Sequence, residues 1–217
     1  MEEQQVKPSI FRATWFNVLL LAAGLILLGS GIYTIYTATT SSLPTGYKDS
    51  LLAVGNSSTN LGNLFGTDLQ KAFSGLDAKE KASQWAAAAK IIGNGLTVVS
   101  RISSELASFK TKVASFKSLS EQIKDSNTKE KSLNLANLLG DLTTHLEEIV
   151  SLENQNLKPA KKYYEALAAG KNYTLPSNLT ANTAKLNVEA SAVSKLGSQV
   201  VSAINDLFTL LGISQNK

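Results

Sequence analysis

The chain contains one histidine, His145, and no cysteine. Any imidazole-activated nucleophile, or any metal site with a nitrogen ligand from a histidine, would have to be built around that single residue. A helix would place Asp141 and Glu148 on the same face as His145, and such a set could ligate a metal. Carboxylate-bridged dimetal bundles, however, pair a Glu-x-x-His motif on each of two helices, and this chain offers one histidine in the reversed order. His145 also falls between Leu142 and Ile149 on an apolar stripe, which predicts a half-buried imidazole satisfied by a neighbouring helix. Gly93-Asn94-Gly95 and the segment from Gly62 to Gly66 follow no strand and have no phosphate-binding lysine in register, so neither is a nucleotide loop. Lys110, Lys112, Lys117 and the pair Glu147-Glu148 fit a solvated helix surface. Trp85, Phe109 and Phe116 fit a core better than a ligand cage. We therefore assign no catalytic, cofactor-binding or metal-ligating residue and no cofactor, and expect a protein that is not an enzyme.

A chain of 217 residues accommodates a membrane anchor and one domain of ordinary size. Without cysteine that domain holds together with no disulfide. The net charge of +4 is carried by lysine apart from Arg12 and Arg101. Residues 1–37 contain Glu2, Glu3, Lys7 and Arg12 and sum to zero, so the excess lies on the remainder. An arginine-poor, aromatic-poor surface lacks the phosphate forks and stacking rings of a nucleic-acid interface, and no nucleic acid is expected as a partner.

The elements that would position these residues begin with an anchor. From Trp15 to Tyr36 the chain reads WFNVLLLAAGLILLGSGIYTIY, uncharged throughout and long enough at about 1.5 Å per residue to span a hydrocarbon core of roughly 30 Å. Trp15 and Phe16 at one end, and Tyr33 and Tyr36 at the other, match the aromatic belts of a bilayer interface. The block exceeds the apolar core of a cleavable signal peptide, and bulky Tyr36 three residues before a break after Ala38 disfavours cleavage. Lys7, Arg12 and the terminal amine flank the first side, so the positive-inside rule puts the N-terminus in the cytoplasm. The expected organisation is a cytoplasmic tail at 1–13, a transmembrane anchor at 14–37, a Ser/Thr/Pro tether at 38–46 and an extracytoplasmic helical bundle at 47–217. Leu43-Pro44-Thr45-Gly46 lacks the spacer residue and following apolar tail of a sortase signal. Three Asn-x-Ser/Thr sequons, at Asn56, Asn172 and Asn178, fall in the outer part. A chain this rich in Asn, Ser and Thr yields about that many by chance, so on their own they support topology weakly.

The outer part is patterned in heptads. Trp85, Ile92, Val99, Leu106 and Val113 repeat every seven residues, interleaved with Ala88, Gly95, Ile102, Phe109, Phe116 and Ile123. This predicts one helix over 78–125, capped by Asp77 and Glu80. A second helix opens with the Asn127/Glu130 capping pair, carries Leu135, Leu138, Leu142, Ile149 and Leu152, and is expected to be kinked or divided at Pro159 before ending at Gly170. After the loop KNYTLPSNLT a last helix places Leu186, Val193, Val200 and Leu207 beside Ala190, Gly197, Ile204 and Leu211. Between Tyr47 and Leu76 the residues Leu51, Val54, Leu61, Phe65, Ala72 and Leu76 fit helical spacing, while Gly55, Gly62 and Gly66 oppose it. We expect a fourth, weaker or broken helix there. The fold class is all-α: one N-terminal transmembrane helix, then an up-down bundle of three long heptad helices and one irregular helix.

This architecture implies a membrane-anchored surface protein that works through helical-bundle assembly or partner binding, touching the lipid bilayer through residues 14–37 and either a second copy or another protein through the bundle. The layout resembles in shape the four-helix extracellular ligand-sensing domains of bacterial chemoreceptors. Those carry a second span, whereas the late apolar run Val200 to Ile213 contains Asn205 and Asp206 and is too short to cross. A pilus, filament or virion subunit with a hydrophobic N-terminal helix is a third class. Arg12-Ala13 before the apolar block loosely resembles a prepilin cleavage site, and a mature start at Thr14 would mark it.

Overall fold

A computed structural model describes residues 43–211. The assigned tail (1–13), the anchor (14–37) and the first part of the tether (38–42) lie outside them, as do residues 212–217. No helix among the described residues is long and apolar enough to cross a membrane. Those residues are all helical: α1 (Tyr47–Asn63), a π-helical turn (Leu64–Asp68), α2 (Leu69–Phe73), α3 (Leu76–Lys81), α4 (Trp85–Glu121), α5 (Ser126–Ala168) and α6 (Leu179–Leu210). Four of them, α1, α4, α5 and α6, pack together into a bundle.

The heptad seams are the core. Ala88, Ile92, Val99, Ile102, Leu106, Phe109, Val113 and Phe116 of α4 are buried, as are Leu135, Leu142, Ile149 and Leu152 of α5 and Leu186, Val193, Val200, Ile204 and Leu207 of α6. Alternating steps of three and four residues keep these side chains on one stripe, and each long helix hides that stripe against its neighbours. α4 packs along α5, α5 along α6, and α1 along α4, so each seam finds its partners within one chain. Val188 and Val201 are the only large apolar side chains left exposed among the described residues.

The pairs between helices set their directions. Tyr47 at the start of α1 tilts against Phe116 near the end of α4, with ring centroids 5.3 Å apart, while Asp68 meets Arg101 farther up, so α1 and α4 are antiparallel. Lys110 reaches Glu147 at 2.8 Å, and Lys131 reaches Asp206 at 3.0 Å, which makes α4–α5 and α5–α6 antiparallel as well. The up-down order expected of short loops therefore extends to all four helices.

Three local expectations are corrected. The helix expected over 78–125 is broken: α3 stops at Lys81 and α4 starts at Trp85. Ser83 adopts a left-handed φ of 53°, with Gln84 N donating to Lys79 O at 2.8 Å and Ser83 N to Glu80 O at 3.0 Å. That is a Schellman closure with serine in the seat glycine usually takes, so the usual sequence marker is missing. The capping pair at Asp77 and Glu80 does not form, since Gly75 precedes α3 without a side-chain cap and Glu80 instead accepts from the Tyr164 hydroxyl. At α5 the cap is Asp125, whose Oδ2 accepts from Thr128 N at 2.8 Å and from Thr128 Oγ1 at 2.6 Å, and Asn127 already lies inside the helix. These bonds hold the Asp125 carboxyl below its ordinary range.

Pro159 does not divide α5, which continues to Ala168. Proline removes one donor and crowds the preceding turn at a cost of roughly 3 kcal/mol. Leu157, Ala160 and Tyr164 are buried on both sides of it, and that packing offsets the cost. The segment from Tyr47 is helical through Gly55 and Gly62, and its irregularity is confined to the π-helical turn and the short α2. Gly95 shows what one seam glycine is for: the Phe73 ring of α2 lies directly against its Cα, where any Cβ would collide with it.

Two substitutions test this arrangement. Val99, 1% exposed, should tolerate aspartate badly, with Val99→Asp losing at least about 3 kcal/mol of stability. Lys110→Ala, on a side chain 62% exposed, should lose under about 1 kcal/mol. Equal denaturation midpoints for the two variants would contradict the seam. Ser83→Gly should raise stability by about 0.5–1 kcal/mol by relieving the left-handed backbone, and a lower melting temperature would contradict the break.

Candidate functional site

The chemistry-bearing residue that stood out in the sequence is already engaged. His145 Nδ1 lies 2.6 Å from Glu189 Oε2 of α6, and the imidazole is about one-third exposed. It bridges two helices, as its position on the stripe predicted. Asp141 and Glu148 do not join it: among the described residues no three metal-ligating side chains cluster.

A site that sequence reasoning did not assemble lies where α1 gives way to the π-helical turn. That turn arises where Leu69 N bonds back to Leu64 O, five residues earlier, which inserts one residue into the helix and widens it. Asp68, its last residue, reaches across to α4, and Arg101 Nη1 sits 3.0 Å from Asp68 Oδ2. Around this pair opens a groove of about 480 Å³, lined by Asn60, Asn63, Leu64 and Asp68 on one wall and Ser100, Arg101, Ser104 and Glu105 on the other. Leu64 is the single apolar lining residue, so a ligand there would be held by hydrogen bonds and charge more than by burial.

The groove floor is sealed. Ser57, fully buried, donates its hydroxyl to Glu105 Oε1, and Lys112 Nζ lies 3.7 Å from the same oxygen. Ser104 donates to Ser100 O at 3.2 Å, part of the helix surface. A hydroxyl held by a carboxylate resembles half of a nucleophilic pair. Ser57 cannot meet a substrate from inside the bundle, and no imidazole stands beside it. The groove therefore offers two amides, two accessible hydroxyls, one guanidinium and two carboxylates: a recognition surface for a polar group.

Two sequence signals point to it in retrospect. Arg101 is the only arginine after Arg12 and stands off the seam, between Val99 and Ile102. Gly62 precedes the widened turn and Gly66 lies within it. What could not be read was that an inserted residue turns Asp68 toward α4, because π-helical turns leave no composition signature.

α5 also carries a half-buried carboxyl with a raised pKa. Glu153 occupies a seam position seven residues after Leu146 and seven before Ala160, and burial pushes its pKa up to about 7. No hydrogen bond or ion pair reaches it among the described residues, whereas one turn away Asn182 Nδ2 donates to Asn156 Oδ1 at 3.1 Å. The Tyr47 hydroxyl, which shares a 2.7 Å hydrogen bond with Ser132, is likewise raised, to about 12, chiefly by burial.

A carboxyl with a raised folded-state pKa favours the fold when neutral. Its contribution is complete below about pH 4.5 and is lost as pH climbs through about 7. Glu153→Gln should therefore flatten the stability profile between pH 5 and 8 and add about 2 kcal/mol at pH 8, less than the full shift implies because the residue stays partly exposed. Parallel melting curves for the two proteins across that range would contradict a raised Glu153 pKa.

Compared with models of known families, with characterised proteins and with solved structures, the chain matches none of them.

Proposed function

We propose that the chain is a membrane-anchored surface protein whose helical bundle works by binding a partner and not by catalysis. The observation that carries this is the combination of a core closed within one chain and a polar, solvent-facing groove. A surface that exposes, among the described residues, only Val188 and Val201 as large apolar side chains favours reversible polar contact over an obligate apolar interface. The apolar, aromatic-flanked stretch from Trp15 to Tyr36 supplies the anchor in this reading, and the positive-inside rule places the bundle outside the cytoplasm. A second reading, a ligand-sensing domain, draws on the same groove: the Arg101–Asp68 pair would be reorganised by a small polar ligand and pass that change along α4.

The absence of cysteine makes the test clean. Ser104→Cys puts one thiol in the groove and Ser191→Cys puts one on the exposed back of α6. In membranes from the protein's own source, treated with a short thiol-directed crosslinker, the groove thiol should give a discrete higher-mass species and the α6 thiol should not. Added protease should reach the bundle in unbroken membranes. Equal crosslinking from both positions would defeat the groove as the contact surface, and a bundle protected until the membranes are opened would defeat the outward placement.

A further inference from the structure

Chain direction fixes which end of the bundle each loop occupies. The antiparallel order puts residues 43–46, the Gln122–Asp125 turn and the end of α6 at one end. The connection between α5 and α6, residues 169–178, lies at the other. With 43 residues in α5, the two ends are about 60 Å apart. Two of the three sequons, Asn172-Tyr173-Thr174 and Asn178-Leu179-Thr180, sit on that distant connection, and the third, Asn56-Ser57-Ser58, sits within α1.

Their surroundings differ in ways that matter to an enzyme that must seat the asparagine amide and the hydroxyl two residues on. Gly170, at φ 65°, turns the chain off α5, and Lys171 N closes the helix end on Ala166 O at 2.8 Å. Beyond it, Asn172 and Thr174 are exposed, and from Asn172 to Leu175 no hydrogen bond engages the chain among the described residues. Drawing this segment into a catalytic groove breaks no hydrogen bond. Asn178 is the N-cap of α6, its carbonyl accepting the helix's first hydrogen bond from Asn182 N at 2.8 Å, and Leu179 beside it is buried. At Asn56 the obstacle is larger: Ser57 and Ser58 are both 0% exposed and Ser57 is bonded to Glu105, so α1 would have to come off α4.

We propose that Asn172 is the N-glycan acceptor of the folded chain, Asn178 a poor one and Asn56 none, so that a saccharide caps the bundle at the end farthest from the tether. In the cell this rests on the outward placement of the bundle. The donor is an oligosaccharide carried on a lipid phosphate. The Asn172 carboxamide nitrogen attacks sugar C1, the N–C1 bond forms, and the C1–O bond breaks with its electron pair leaving on the lipid phosphate. One amide proton passes to a base of the transferase.

The test uses the full-length protein, folded in detergent micelles, with a single-subunit oligosaccharyltransferase that recognises Asn-x-Ser/Thr and its lipid-linked donor. Peptide mass spectrometry should find the glycan on Asn172 at least about tenfold faster than on Asn178, with Asn56 bare, because the other sites wait on local unfolding. Thr174→Val should abolish transfer at Asn172 without moving the melting temperature. The urea-unfolded chain should be modified at all three sites, which establishes that the enzyme accepts each sequon. A bare Asn172 in the folded protein, or Asn56 modified as fast as Asn172, overturns the proposal. Protein from its own membranes separates the two layers: a protease-accessible bundle with Asn172 bare overturns the glycan, whereas a protected bundle overturns the outward placement and with it the glycan in the cell.

Discussion

The seam between α4 and α5 is the constraint on which the rest of the bundle depends. Phe109, Phe116, Leu106 and Ile102 on one helix and Leu135, Leu139, Leu142 and Leu146 on the other are almost wholly removed from water. Burying each such side chain contributes roughly 1.5–3 kcal/mol, far more than any ion pair on the bundle surface. Neither helix would persist alone with such a stripe exposed, so forming them and pairing them are one event. α1 and α6 then attach to opposite members of this pair, α1 to α4 and α6 to α5. The groove follows from that order, since it forms where the π-helical turn after α1 lies against α4 and Asp68 meets Arg101.

Apolar stripes choose a face but are tolerant of sliding, and the few buried polar contacts remove that tolerance. The Tyr47 hydroxyl meets Ser132 Oγ at 2.7 Å, joining α1 to α5 across the bundle. Asn182 meets Asn156, and His145 meets Glu189, at two heights of the α5–α6 pair. A slip of one turn would leave the buried Tyr47, Ser132, Asn156 and Asn182 without these partners, at a cost of about 1–3 kcal/mol apiece. Such pairs add little net stability, yet they make the wrong registers worse, which is how a polar residue in a coiled-coil seam sets alignment.

The same physics explains what the sequence made legible. A seven-residue repeat is a direct record of which side chains must leave water, so the long helices, their buried faces and the half-buried, partnered His145 could all be read from spacing. The break at Ser83 could not, because a left-handed residue without glycine carries no marker. That α5 runs on past Pro159 was hidden for the opposite reason: the local cost of proline is plain in the sequence, while the burial of Leu157, Ala160 and Tyr164 that offsets it depends on residues from other helices. The groove was hidden for a third reason. Its eight lining residues come from two stretches about forty positions apart, and what joins them is a backbone insertion that side-chain types do not encode.

Core composition changes along the bundle, and the change has a dynamic consequence. At the end of the bundle where α1 begins, many buried side chains are large: Phe109, Val113 and Phe116 of α4, Leu135, Leu139, Leu142 and Leu146 of α5, and Val200, Ile204, Leu207 and Phe208 of α6. Toward the other end small and polar residues, Ala88, Ala89 and Gly95 on α4, Asn156 and Ala160 on α5, and Asn182 and Ala190 on α6, are interspersed with buried Ile92, Leu152, Leu157 and Leu186. Where alanine, glycine or asparagine stands in the seam, fewer apolar atoms mean less free energy holding that turn shut. Tyr164 stiffens this end, stacked 6.3 Å from Trp85 and hydrogen-bonded to Glu80, which ties the short α3 to α5.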